Sequence, residues 1–269
     1  MNTIAILTNL QKDVDLSVTE NLTEILRQNG FSTVNISSPA QIGANMDILI
    51  VLGGDGTLLT ACEQAAPKNI PLLGINLGRL GFLNEWEPDA LLQLGVLLAQ
   101  NKYTIEKRMM LSARIDEGPA EYALNDFVFA RGGYSRGIHI EVTINGLFVD
   151  AYMADGVIIS SPTGSTAYAL SAGGPIISPE LNCMLITPIS AHTLHARPLV
   201  ISDKDTVCLR ASLPEETALL TPDGRDGQIV TQCKTVCISR APFDASFIRF
   251  EPLNFYNLLH KKLREWNAS

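Results

Sequence analysis

Over the first third of the chain, short unbroken apolar runs alternate with helical stripes. Ile4 to Leu7, Phe31 to Ile36, Ile48 to Leu52 and Pro71 to Asn76 read as strands. Continuous apolar runs bounded by glycine suit a parallel sheet covered on both faces. Asp15 to Asn29 carries Leu16, Val18, Leu22, Ile25 and Leu26 at helical spacing and is stopped by Gly30. Further helices are predicted from about Leu58 to Ala66 and over Asp89 to Gln100. This order implies a parallel sheet with right-handed crossovers and a ligand at the carboxyl ends of its strands.

From about Ile105 the pattern changes to strands. Leu111 to Ile115, Tyr122 to Ala130, Ile138 to Ile144 and Leu147 to Tyr152 read as β, with Asn145-Gly146 and Asp223-Gly224-Arg225 as hairpin turns. Phe247 to Trp266 returns to helical spacing, with a stripe of Phe255, Tyr256, Leu258, Leu259, Leu263 and Trp266. Such a stripe needs an apolar surface, and the β region offers no helix layer, so this segment is predicted to pack on the first domain. The expected architecture is a Rossmann-like α/β domain, 1–104 with 246–269, and a mainly β domain, 105–245.

Composition narrows the function. The 269 residues are 46% hydrophobic and 18% charged, with a net charge of −8, as expected of a globular protein with a sizeable core and no broad basic surface. Nucleic acid and anionic membrane are therefore not expected partners. The start, MNTIAILTN, has neither a basic region nor a cleavage pattern, and no apolar run approaches the roughly 20 residues of a membrane span. Five scattered cysteines without metal-ligand spacing fit a reducing cytoplasm. His192 and His195 read as structural rather than as metal ligands.

The candidate chemistry begins at Gly53-Gly54-Asp55-Gly56-Thr57, directly after the Ile48 to Leu52 run. Glycines permit a tight turn and a close ligand approach, and a helix starting there aims free N–H groups and its positive dipole end at an anion. Gly53, Gly54, Gly56 and Thr57 are thus candidate phosphate ligands. Asp55 would repel that anion, so it either holds Mg²⁺, takes a proton from an attacking hydroxyl, or caps the helix. Neither a P-loop nor a dinucleotide fingerprint fits, because Thr57 follows Gly56 where the first needs Lys and Leu59 stands where the second needs Gly.

GGDGT resembles the signature of NAD kinases and of the related diacylglycerol, sphingosine and phosphofructokinase enzymes. Later segments narrow the choice. Asn76 to Trp86, NLGRLGFLNEW, is similar to the GxLGF segment of NAD kinases, which implies Phe82 near the dinucleotide; core packing is the alternative. Asn125-Asp126 matches the pair that family uses on the dinucleotide's ribose and adenine, although turn backbone could also occupy it. Asp155 to Ile176, DGVIISSPTGSTAYALSAGGPI, is close over all 22 residues to the NAD kinase pattern. It departs at Ser161, where many members have Thr, while nearby Met153 replaces an Arg of some members.

The resemblance implies that Asp155, Thr163, Thr166, Ala167, Tyr168 and Ser171 line the NAD site, with Asp55, Gly56, Thr187 and Ile189 also at the ligand. Arg136 and Arg225 align more weakly with site positions. It further implies a phosphofructokinase-like first domain, an Asp55 base, ATP with Mg²⁺ as donor, and a homodimer or homotetramer in which Asp155 reaches a neighbouring subunit. The rival expectations are a lipid or sphingoid kinase and a non-catalytic dinucleotide sensor.

Overall fold

The structure is a computed structural model and describes residues 3–78, 81–133, 137–192, 196–211, 217–231, 234–250 and 255–267. Arg79, Arg136, His195 and Cys233 lie outside the described residues. The chain divides into two compact units, 1–107 with 245–269 and 108–244.

The first unit runs β1 (Thr3–Thr8), α1 (Ser17–Gln28), β2 (Ser32–Ile36), β3 (Ile48–Gly53), α2 (Asp55–Ala65), β4 (Leu72–Asn76) and α3 (Leu91–Ala99). The strands lie in the order β2-β1-β3-β4 and all pair in parallel. The apolar runs explain this: every residue of β3 and β4 is buried. On one face, Leu22, Ile25 and Leu26 of α1 and Leu91, Leu94 and Leu98 of α3 pack on Ile4, Ile6 and Ile50. The two helices approach closely at Gly95, where a Cβ would stand 2.6 Å from the Ile25 side chain.

The second unit holds most of β5 (Thr104–Ile115), followed by β6 (Glu121–Ala123), β7 (Asp126–Arg131), β8 (Ile138–Ile144), β9 (Leu147–Ala154), β10 (Gly156–Ser160), α4 (Tyr168–Ser171), β11 (Cys183–Ile189), β12 (Leu199–Ser202), β13 (Val207–Ala211), β14 (Ala218–Pro222) and β15 (Gln228–Val230). Next comes β16 (Thr235–Arg249), whose last residues join the first unit, and the chain closes with α5 (Phe255–Asn267). One sheet of this unit orders β12-β11-β10-β7-β14-β15, and the other contains β16-β13-β8-β9. Phe127, Phe129, Val157 and Ile159 of the first sheet meet Ile140, Val142, Leu209 and Val236 of the second in one core. The opposite face of β10 and β11, through Ile158 and Leu185, packs on Ala169 of α4 and Ile177.

Three expectations change. The Tyr122 to Ala130 strand is broken at Leu124-Asn125, for a reason given below. The predicted helix from Phe247 starts only at Phe255; Phe247 and Ile248 are fully buried, and Phe247 pairs with Leu72 of β4 in parallel. Pro252 also disfavours a helix running through that stretch. The third change concerns the cysteines. Cys208 and Cys237 stand opposite each other in the β13–β16 register, Cα atoms 4.1 Å apart, and are joined as a disulfide, while Cys62 and Cys183 are not disulfide-bonded. Partners 29 residues apart are brought together by strand register alone, which spacing along the chain does not reveal.

A cross-link closing a loop of this size contributes about 3–4 kcal/mol in the chain-entropy account. Reduction, or Cys237→Ala, is therefore expected to lower Tm by roughly 5–15 °C. Calorimetry with and without dithiothreitol reads this directly.

Candidate active site

In the first unit the site is built on the turn between β3 and α2. Gly54 is the helix N-cap, in extended conformation at φ −112° and ψ −174°, and Asp55 is the first helical residue. The capping role considered for Asp55 is thereby taken by glycine backbone. The helix starts three residues earlier than its apolar spacing suggests, and its first-turn N–H groups have no upstream carbonyl to meet. Gly53 is required sterically, since a Cβ there would sit 2.6 Å from the Thr57 hydroxyl. That hydroxyl accepts from Asn9 Nδ2 at 3.0 Å.

The Asp55 side chain turns toward the loop after β4. Its Oδ2 accepts from the Phe82 N–H at 2.8 Å, and its Oδ1 accepts from Asn84 Nδ2 at 2.7 Å. Two donors on two oxygens fix the carboxylate plane while leaving further lone pairs. The geometry depends on glycines: a Cβ at Gly81 would overlap the Asp55 carboxylate, and one at Gly74 would overlap the Asn84 amide. The loop is held from below by Arg249, whose Nη1 donates to the Leu83 carbonyl at 2.9 Å and whose Nε pairs with Glu106 at 2.7 Å. Phe82 is half-buried, and its backbone rather than its ring makes the defined contact.

The other flank of the turn opens on a cleft of about 600 Å³ lined by Asn9, Lys12, Ser37, Gly54, Gly56 and Thr57, among others. Asp55 is not part of that lining. The glycine turn thus separates a fixed carboxylate from a cleft of hydroxyl, amide and N–H donors.

The second unit assembles another polar cluster. Asp223, at φ 47°, aims its carboxylate at three consecutive N–H groups: Leu124 at 2.8 Å, Asn125 at 2.7 Å and Asp126 at 3.1 Å. This interrupts the expected strand, because these amides face a carboxylate instead of a ladder. Ser161 Oγ donates to the Leu124 carbonyl at 2.5 Å and accepts from Gly164 N at 3.2 Å. The turn carrying Thr163 and Thr166 is thereby tied to Leu124, next to Asn125, and the Ser-for-Thr departure keeps the hydroxyl that does it. At Gly164 a Cβ would overlap the Asn125 carbonyl. Arg108, buried on β5, reaches Thr163 Oγ1 at 3.4 Å. Asp126 is buried, and desolvation, then the neighbouring charge of Asp223, raises its pKa to about 7. Asp223 is also pushed upward by burial, partly offset by its three N–H donors and Arg225.

The comparisons with known proteins agree with one another. The ATP-NAD kinase N-terminal domain model matches residues 37–103 and the ATP-NAD kinase C-terminal domain model matches residues 124–250. An NAD kinase of Caldanaerobacter subterraneus is 38% identical, over 98% of this chain and all of the relative. The chain belongs to the NAD kinase family. An NAD kinase of Heliobacterium modesticaldum is 45% identical over 82% of the chain and 79% of that protein. Among solved structures, an Archaeoglobus fulgidus NAD kinase in complex with ATP matches with TM-score 0.83 and 25% identity, over 97% of this chain and 98% of that one. Yeast NADH kinase complexed with NADH shares the fold, with TM-score 0.81 at 23% identity over all of this chain and 89% of that one.

Within each unit, the family positions fall into distinct groups. Asp55, Gly56 and Phe82 lie together in the first. In the second, Asn125, Asp126, Thr163 and Thr166 converge where β10 ends, with half-exposed Ala167 and exposed Tyr168 and Ser171 following on α4. Tyr168 and Ser171 are three apart and share a helix face. Thr187, in the middle of β11, is fully buried and its hydroxyl has no hydrogen-bond partner among the described residues. It lies near Gly174, where a Cβ would stand 3.0 Å from Thr187 Oγ1.

Asp155 and Ile189 sit at the opposite end of β10, where the Asp155 N–H donates to the Ile189 carbonyl at 3.0 Å. A five-residue strand separates them from the Asn125 cluster, about 16 Å at 3.3 Å per residue. Asp155 pairs there with Arg131 at 3.4 Å.

Sequence reading missed Asn84, Arg249, Arg108 and the latching role of Asp223. The available signals were the unusual Asn in GFLNEW and an Asp opening a turn, neither of which names its long-range partner.

Proposed function

We propose that the chain transfers the γ-phosphoryl group of ATP to the 2′-hydroxyl of NAD's adenosine ribose, making NADP. The observation that carries this reading is the Asp55 carboxylate, oriented by Phe82 N–H and Asn84 on a glycine turn whose other flank is a donor-rich cleft. The cleft takes the triphosphate, with the α2 N-terminus and the Gly54 to Thr57 backbone as anion ligands. Asp55 accepts the hydroxyl proton as the ribose oxygen bonds to the γ-phosphorus and the bond from that phosphorus to ADP breaks. Such transfer asks chiefly for in-line placement and charge neutralisation.

Mg²⁺ carried by the triphosphate would neutralise phosphate charge there. Among the described residues, no three His, Cys, Asp or Glu side chains form a metal-sized group.

The second unit supplies the dinucleotide ligands. Asn125, Asp126, Thr163, Thr166, Ala167, Tyr168 and Ser171 hold NAD, with Thr187 offering its unpartnered hydroxyl. An ionised Asp126 accepts from ribose hydroxyls. The distance of Asp155 and Ile189 from this group supports their service to a neighbouring subunit in a homodimer or homotetramer. Arg136 completes the set, and the protein acts in the cytoplasm.

The value near 7 for Asp126 makes NAD binding pH-dependent. Affinity is expected to rise roughly 30-fold between about pH 5.5 and 8 as the carboxyl ionises. Stability runs the other way: the folded value is above the unfolded one, so the folded state loses stability as pH climbs through about 4 to 7. Asp126→Asn should therefore raise Tm at alkaline pH while weakening NAD binding and flattening its pH profile; calorimetry and titration across that range check both.

The proposed reaction is tested by incubating the protein with NAD, ATP and Mg²⁺ and assaying with an NADP-specific dehydrogenase. NADP formation supports it. Binding without turnover would leave a sensor, and phosphorylation of a lipid instead would leave the rival kinase.

A further inference from the structure

We propose that Lys12 is the cation that grips the terminal phosphates of the donor and neutralises the charge gathering on the departing diphosphate. This rests on the functional reading above and adds a catalytic residue to it. The GGDGT turn contains no basic residue, so the positive charge that a P-loop carries in its own lysine must come from elsewhere. Among the described residues, Lys12 is the only charged side chain lining the cleft. Its Nζ stands directly over the turn: a methyl group added at Gly54 would lie 2.8 Å from it, and one at Gly78 would lie 3.4 Å from it. Among the described residues Lys12 forms no ion pair, although the chain carries a net charge of −8. An unneutralised lysine above a glycine turn and a helix N-terminus is arranged for an anion, and an ammonium serves as a compact point charge for phosphate.

The loop carrying Lys12 is fixed on both sides. Before it, the Asn9 N–H donates to the Leu52 carbonyl at 2.9 Å, and Asn9 Nδ2 reaches Thr57 at 3.0 Å. The Lys12 N–H itself donates back to the Asn9 carbonyl at 2.9 Å. After it, the buried Asp13 carboxylate accepts from the Val18 N–H, the Thr19 N–H and the Thr19 hydroxyl at 3.2, 2.9 and 2.6 Å, capping α1. Lys12 is therefore held between a strap to the glycine turn and a helix cap, with only its exposed side chain free to follow a ligand. As the γ-phosphorus leaves ADP, negative charge grows on the released diphosphate. Lys12 retains its proton and stabilises that charge, while Asp55 takes the proton of the hydroxyl.

The test compares wild type, Lys12→Met and Lys12→Arg in two assays. In steady state at saturating NAD, Lys12→Met is expected to lose about 10²-fold or more in kcat/KM for ATP, the scale of one lost transition-state charge contact. Its Kd for NAD should stay within about two-fold, and Lys12→Arg should recover part of the loss. In calorimetric titration, inorganic tripolyphosphate should bind Lys12→Met at least about ten-fold more weakly than wild type. Unchanged tripolyphosphate binding, or unchanged kcat/KM for ATP in an active enzyme, overturns the assignment. A wild-type protein that makes no NADP at all overturns the functional reading instead, so the two failures are told apart.

Discussion

Asp55→Asn is expected to bind NAD within a few-fold of wild type yet turn over at least about 10²-fold more slowly, the usual scale of a general base. The expectation follows from how the carboxylate is held. Phe82 N–H and Asn84 Nδ2 both donate to it, and an amide can keep only one of those contacts with its oxygen. The other position becomes an NH2 facing a donor, unless Asn84 turns its own amide over. The backbone of the turn, and with it the phosphate cleft, is untouched because Gly54 and not Asp55 is the N-cap. The loss should therefore appear in kcat, with KM for ATP little changed. Near-normal turnover would falsify the base assignment.

Gly164→Ala should cost more than a surface glycine ever does. Its Cβ would overlap the carbonyl of Asn125, and that carbonyl is already bound by the Ser161 N–H at 2.8 Å and the Ser160 hydroxyl at 3.2 Å. Backbone cannot swing aside as a flexible side chain does, so either the Thr163 to Thr166 turn or the Asn125-Asp126 pair must move. Forcing an extra methyl into a packed site costs about 1–3 kcal/mol, which corresponds to a Tm lower by roughly 3–10 °C. Because both segments are proposed to carry NAD ligands, displacing either should weaken NAD by at least about ten-fold, a loss of about 1.4 kcal/mol or more. Thermal melts and NAD titration of the one variant read both numbers. Full NAD affinity would show that the turn does not carry dinucleotide ligands.

The fold was legible wherever burial alone decides structure. The runs at Ile4, Ile48 and Leu72 could only be two-face-buried strands, and Asn145-Gly146 adopts positive φ at both residues as a tight hairpin requires. It was least legible where a distant side chain overrides local preference. Nothing near Leu124 announces that Asp223, nearly a hundred residues on, will capture its amides. Nothing near Phe247 says that Leu72 needs a strand neighbour. Likewise the register that sets Cys208 against Cys237 is a property of sheet pairing.

The candidate site divides along the same line. Asp55 and the residues from Asn125 to Ser171 proposed here as dinucleotide ligands stand out in the sequence because glycine turns and hydroxyl clusters are local signals. Asn84, Arg249 and Lys12 do not, because their importance lies only in what they face. Asn84 is an ordinary polar residue until Gly74 lets it lean onto Asp55.

The most direct measurement of the central claim follows the phosphoryl group itself. Protein, NAD, Mg²⁺ and ATP labelled at the γ-phosphorus are mixed, the product is isolated, and the position of the label is read by phosphorus NMR and by release with a phosphatase. The account predicts label on the 2′-oxygen of the adenosine ribose, with at least about 10²-fold less of that product from Asp55→Asn over the same interval. Label found only in inorganic phosphate, or on any other oxygen of the dinucleotide, would contradict it.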